Sequence, residues 1–213
     1  MASSYSSDLK LELMATGENA GTWGDKTNTN LNLIQQAIAG YEAIDVSSGA
    51  TLAMTNATLS NARNAVLKLT GTLTGNVDVT CPDSIEKTYV VQNGTSGAHT
   101  VTFKTVSGTG ATFSTTDKGI KVLFSDGTNV VDVLANASQI NLVNQNEVRF
   151  EDASGGEYVG LKAPTTVSSS VSFALPGADG SSGNGITTDG SGNLSFTDVA
   201  STGKAIAMAI VFG

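Results

Sequence analysis

The side chains in this chain that could do chemistry are few and stand apart from one another. His99 is the sole histidine and lies in the stretch Gly-Ala-His-Thr at 97–100, beside a predicted turn. A catalytic triad or a multi-histidine metal centre needs partners that one imidazole does not bring, so His99 reads as a turn or surface residue. Cys81 is the only cysteine and precedes Pro82 at the end of a predicted strand. A small, half-buried residue is the expectation there rather than a nucleophile, and a lone cysteine excludes an intrachain disulfide. The loops Asp-Gly-Ser-Ser-Gly-Asn-Gly at 179–185 and Asp-Gly-Ser-Gly-Asn at 189–193 carry oxygens of the kind calcium uses. The second matches the first half of an EF-hand loop, but Ala200 occupies the closing position, where a bidentate Glu belongs. Turn chemistry accounts for both loops. Glu151 and Asp152 are neighbouring acids, yet glycoside hydrolysis needs a second carboxylate across a cleft, and the sequence places none. No phosphate-cradling Gly-rich motif follows a predicted strand. The expectation is a protein that is not an enzyme and holds no cofactor or metal.

Composition sharpens this. Charged residues make up 14 % of the chain, against about 25 % in ordinary globular proteins. Ser, Thr, Asn and Gly are abundant, which favours turns and half-exposed strands over helices. The net charge is −8, and the 11 basic residues form no cluster. Neutralising phosphates takes a basic footprint, so no nucleic-acid partner is expected. An acidic surface also disfavours anionic membranes. The longest apolar run, 205–212, is far shorter than the roughly 20 residues of a bilayer span, so no membrane insertion is expected. The first eight residues have neither a basic start nor an apolar core, which predicts no export leader. The chain should be made in a cytoplasm and stay there unless an assembly carries it away.

The elements that would position a functional surface begin with one predicted helix over 21–41. Leu31, Ile34, Ile38 and Tyr41 follow the three-four spacing of a coiled-coil seam, and Asn30, Asn32, Gln35 and Gln36 fill the other faces. Asp25 is placed to cap the start and Gly40 to end it in a left-handed conformation. A helix this short is marginal alone, so something must cover the seam. Either the helix packs on its own β domain, or identical helices from several chains meet in a neck, with Trp23, Leu31, Ile34, Ile38 and Tyr41 as the oligomer or attachment interface. Before the helix, Leu9, Leu11 and Leu13 alternate with Lys10 and Glu12, the pattern of a short strand or an arm that could add to another protein's sheet; a loose tail would look the same.

From 44 to 135 short strands at 65–69, 76–80, 87–92, 100–104, 121–124 and 130–133 alternate with Gly-bearing turns, including the hairpin signal Asp126-Gly127. This reads as a β-sandwich or jelly-roll-like domain, with Val66, Leu67, Leu69, Val77, Val79, Val90, Phe103, Val122, Phe124 and Val131 in its core. After a connector at 136–145 come a hairpin-like pair at 147–151 and 158–162, strands at 170–176 and 192–196, and the apolar end 205–212. So few strands struggle to bury a core alone. Intertwining with copies of the same chain would solve that. The expected organisation is a mainly β protein with an attachment arm and neck helix at 1–43, a sandwich-like domain at 44–135 and an intertwined β region at 136–213.

Two segments resemble tail-fibre and related virion structural proteins of tailed bacteriophages of marine bacteria and cyanobacteria. They are GENAGTWGDKTNTNLNLIQQAIAGYEAIDV near the N-terminus and SFALPGADGSSGNGITTDGSGNLSF near the C-terminus. The middle stretch YVVQNGTSGAHTVTFKT is similar to small β domains of such proteins. The resemblance implies a homotrimeric, non-enzymatic appendage of the virion, fixed by its N-terminus to other virion proteins, with the 172–196 loops in the distal region. A short tail fibre or fibre adaptor on the tail is the first expectation. A capsid decoration or head-fibre protein is the second, and a module recognising a host-surface glycan or protein the third. With aromatics at 6 % and the one Trp near the neck, only Tyr89 and Tyr158 remain to stack on a sugar.

Overall fold

The computed structural model describes residues 2–137, 140, 142–199 and 210. They fall into two compact units, Met1–Ile140 and Asn141–Gly213. An arm opens the first unit, with strands β1 (Ser4–Tyr5) and β2 (Glu12–Leu13) paired antiparallel. Helix α1 (Trp23–Ala39) follows. Then come β3 (Tyr41–Asp45), β4 (Ala50–Thr51), a 3-10 turn (Asn61–Arg63), β5 (Val66–Thr70) and β6 (Val77–Cys81). β7 (Glu86–Asn93), β8 (Val101–Thr105), β9 (Gly110–Phe113), β10 (Ile120–Asp126) and β11 (Val130–Asp132) complete this unit. The second unit holds two hairpins, β12 (Val148–Glu151) with β13 (Tyr158–Leu161) and β14 (Asn184–Thr188) with β15 (Leu194–Asp198). The apolar end at 205–212 lies outside the described residues apart from Ile210, which is exposed.

The protein is mainly β, and the strands of the first unit are wound rather than folded back. From β3 to β8 consecutive strands alternate between two sheets, one ordered β11-β10-β7-β5-β3 and the other β4-β6-β8-β9. Within each sheet the first three strands run parallel, whereas a jelly roll pairs its strands antiparallel. Val66 stands beside Val90 and Val77 beside Val101, an offset of 24 residues in both sheets. β3–β4, β5–β6 and β7–β8 are thus three stacked turns of one coil. The strands at 87–92 and 100–104, joined by the turn through Gly94 and Gly97, belong to different sheets. Antiparallel β9, β10 and β11 close the coil, and the Asp126-Gly127 hairpin forms as its turn chemistry predicts, with Asp126 accepting the Thr128 and Asn129 N–H groups at 2.8 and 2.6 Å.

The two sheets share one core of Leu67, Leu69, Val79, Cys81, Tyr89, Val91, Val101, Phe103, Phe113 and Leu123, all fully buried. The Tyr89 and Phe103 rings meet across it at 5.2 Å, tilted by 58°. Of the expected core, Leu67, Leu69, Val79 and Phe103 are there and Val77 packs against it. Val66, Val90, Val122, Phe124 and Val131 are not. They point to the outer side of the five-stranded sheet, where Phe124 and Val131 are 38 % and 39 % exposed. The apolar runs Val90-Val91, Val122-Leu123-Phe124 and Val130-Val131 give no alternation to tell one face from the other.

The turns between strands leave little room. Gly97 has φ +89°, and a Cβ there would run into the Leu73 carbonyl oxygen of the turn below. Gly97→Ala is expected to destabilise the first unit by more than about 1 kcal/mol, read as a lower denaturation midpoint in urea, because the backbone must leave the left-handed region or push the coil apart. At the other edge, Lys121 on β10 bridges Asp132 at 2.9 Å and Asp117 at 3.3 Å. Burial pushes the Asp132 carboxyl up, but Lys121 and the N–H groups of Ala135 and Leu134 outweigh it and hold it below the ordinary value. A carboxyl lowered by folding contributes stability above its unfolded pKa and loses it as pH falls through the folded one. Unfolding titrations should therefore show stability dropping below about pH 4, with a shallower drop in Lys121→Met.

Candidate functional site

Helix α1 turns a face toward the protein that its apolar spacing does not announce. Leu33 is its one buried residue, with Asn30, Gln36 and Ala37 half-buried on the same side. Asn30 clamps the arm, donating from Nδ2 to the Glu12 carbonyl at 2.8 Å and accepting the Glu12 N–H at Oδ1 at 3.0 Å. Lys26 reaches the buried Glu12 carboxylate at 2.9 Å. The helix therefore packs on its own domain and arm. Asp25 makes no cap; Thr22 occupies the N-cap without a side-chain bond. Gly40 is extended, at φ −69° and ψ 137°, rather than left-handed, and the chain passes straight into β3.

The sequence-predicted interface residues are accordingly divided. Ile34 is half-buried, while Trp23, Leu31 and Ile38 are 64 %, 58 % and 74 % exposed along the helix. Tyr41 belongs to β3 and not to the helical seam. It opens an apolar row across the outer face of the five-stranded sheet. Tyr41 stands beside Val66, Val66 beside Val90 and Val90 beside Val122, with Phe124 and Val131 paired on the adjoining strands. The first unit thus exposes apolar side chains in two places, along the helix and across this sheet face.

What fixes the arm is Arg63, which has no exposed surface. Its Nε donates to the Leu9 carbonyl at 3.0 Å, Nη2 to the Thr55 carbonyl at 2.7 Å, and Nη1 to the Thr58 carbonyl and to Gln36 Oε1. Burial depresses its basicity. One guanidinium thus ties arm, helix and the 55–60 loop together. Two more bonds finish the docking: Ala57 N–H to the Lys10 carbonyl at 2.9 Å and Glu86 N–H to Asp8 at 3.0 Å. The Leu9–Leu13 stretch, read from sequence as either an arm that could add to another sheet or a loose tail, is bonded to its own domain.

The second unit has a different character. Among its described residues none is buried. On the β12–β13 hairpin, Val148 pairs with Leu161 and Phe150 with Val159, so four apolar side chains share one face and are 45–70 % exposed. The other face carries Arg149, Glu151 and Tyr158, with the Arg149 guanidinium 4.1 Å above the Tyr158 ring. β14–β15 repeats the pattern: Ile186 opposite Phe196 and Thr188 opposite Leu194, against Thr187, Ser195 and Thr197 on the reverse. Alternation that leaves the apolar side of β12–β13 exposed among the described residues is the pattern of a face made for contact.

The residues considered for chemistry are not brought together. Cys81 is fully rather than half buried, and burial pushes its thiol up to about 11. Asp152 Oδ1 accepts the Ser154 and Gly155 N–H groups, and Asp189 accepts those of Ser191 and Asn193, so both carboxylates serve turns. Among the described residues no group of three or more His, Cys, Asp or Glu could hold a metal ion, and no helix is long and apolar enough to cross a membrane. Tyr89 lies in the core and out of reach of any glycan; Tyr158 is 45 % exposed. No protein-family model matches the chain, and neither a curated protein nor a solved structure similar to it was found.

Proposed function

We propose that this chain is a structural virion protein of a tailed bacteriophage, a homotrimeric short tail fibre or fibre adaptor held to the particle by its N-terminal unit. The observation that carries the reading is the second unit, whose described residues include large apolar side chains in regular rows and no buried position. Leaving Val148, Phe150, Val159 and Leu161 in water forfeits about 1.5–3 kcal/mol each relative to burial. Interlocking with two sister chains recovers that energy, and a β region built between chains is how a slender appendage stays stable. In the first unit, the exposed Trp23, Leu31, Ile38 and Tyr41 supply the surface that meets another virion protein. The resemblance of the two segments around 17–46 and 172–196 to fibre proteins points the same way.

Light scattering on the purified chain is expected to return about three times 21.6 kDa, and a monomer at all concentrations would overturn the reading. Antibody labelling of intact particles then distinguishes tail from capsid: signal at the tail supports a fibre or adaptor, and signal over the head a decoration or head-fibre protein.

A further inference from the structure

Lys87 is a lysine in the wrong place for a solvated charge. It sits on the inner side of β7 and is 9 % exposed, with no carboxylate bonded to its amine. Its Nζ donates to the main-chain carbonyl of Asn64 at 2.9 Å and to that of Thr88 at 3.0 Å, which brings the amine to the residue that carries the carboxamide. Asn64 is itself 4 % exposed. Its side-chain amide is held by Glu42, whose Oε2 accepts from Nδ2 at 2.7 Å, while Nδ2 also donates to the Asn61 carbonyl at 3.1 Å. Glu42 lies on β3, Asn64 immediately before β5, and Lys87 on β7, which are neighbours in the same sheet. Three successive turns of the coil thus each contribute one group to a single cluster: a buried amine, a buried carboxamide and a half-buried carboxylate.

We propose that Lys87 and Asn64 condense to form an intramolecular isopeptide bond, with Glu42 carrying the proton. The lone pair on neutral Nζ adds to Cγ of Asn64, the Cγ–Nζ bond forms, and the Cγ–Nδ2 bond breaks. The proton released by Nζ passes through the Glu42 carboxylate to Nδ2, and ammonia leaves. One amide replaces another, so no oxidant or reductant is consumed. Two features of the site favour the step. Glu42 is bonded to the nitrogen that must depart, which is where general acid–base assistance is needed. Burial lowers the Lys87 amine to about 8, so about a tenth of it is unprotonated at pH 7, far more than for a solvated lysine. Two N–H groups engaged by carbonyls leave that neutral amine with its lone pair free. The product would staple the second turn of the coil to the third.

Intact-mass measurement of the full chain tests this directly. The expected result is the sequence mass less one ammonia, together with a branched tryptic peptide joining residue 64 to residue 87. Glu42→Gln is expected to keep the full sequence mass while showing the far-ultraviolet spectrum of the wild type, and Lys87→Met to keep its full mass as well. A wild-type chain at full sequence mass overturns the proposal. So does loss of ammonia mapped to a succinimide at Asn93-Gly94 or Asn184-Gly185, or a Glu42→Gln chain that links as completely as the wild type.

Discussion

Arg63→Met is expected to lower the unfolding free energy of the first unit by about 3 kcal/mol and to free its arm. Methionine fills much of the space but donates nothing. The half-shielded carbonyls of Leu9, Thr55 and Thr58 and the Gln36 amide oxygen each lose a donor that only a fully buried guanidinium supplies. A buried acceptor left unpaired costs about 1–3 kcal/mol, and relief of the guanidinium's own desolvation offsets part of the sum. The denaturation midpoint should fall with little change in its slope. Limited proteolysis should cut within 1–22, which stays protected in the wild type. A variant as stable as the parent, with its arm still protected, would show that Lys26, Asn30 and Asp8 suffice to hold the arm without the guanidinium.

The second large effect concerns assembly. Phe150→Glu with Val159→Glu places two carboxylates on one cross-strand pair of the β12–β13 hairpin. If sister chains cover that face, each protomer loses about 1.5–3 kcal/mol per side chain and must also desolvate charge. Trimer is expected to give way to monomer on size exclusion with light scattering, across the concentrations at which the wild type stays assembled. Arg149→Ser alters only the opposite face of the same hairpin and is expected to leave the trimer intact. Dissociation by both variants would show that the hairpin's fold, and not its apolar face, is what the assembly requires.

Which of these features the sequence discloses depends on the range over which each signal is written. The Asp126-Gly127 hairpin and the β12–β13 pair are local, because turn residues and flanking alternation lie within a few positions of one another. The coil is not. Its evidence is the recurrence of Val66 at Val90, Val77 at Val101 and Val79 at Phe103, an offset of 24 residues that a search for strand-scale alternation passes over. The helix misleads for another reason. Leu31, Ile34 and Ile38 make the conspicuous stripe, yet the side that packs is Asn30, Leu33, Gln36 and Ala37, half of it polar because it meets backbone groups of the arm and the Arg63 guanidinium. Arg63 itself stands in Asn-Ala-Arg-Asn with nothing nearby to mark it. Its partners come from positions 9, 36, 55 and 58 and meet only after folding.

Parallel stacking makes the first unit extensible in whole steps. Inserting one further 24-residue segment between the β5–β6 and β7–β8 turns would find edges on both sides already spaced for it. The unit would lengthen by about 4.8 Å, one strand spacing, while its cross-section and its closing hairpins kept their form; the arm, bonded both to Arg63 before β5 and to Glu86 on β7, would have to give up one of those anchors. Duplication of such a segment is thus a graded way to change the length of the first unit, one rung at a time.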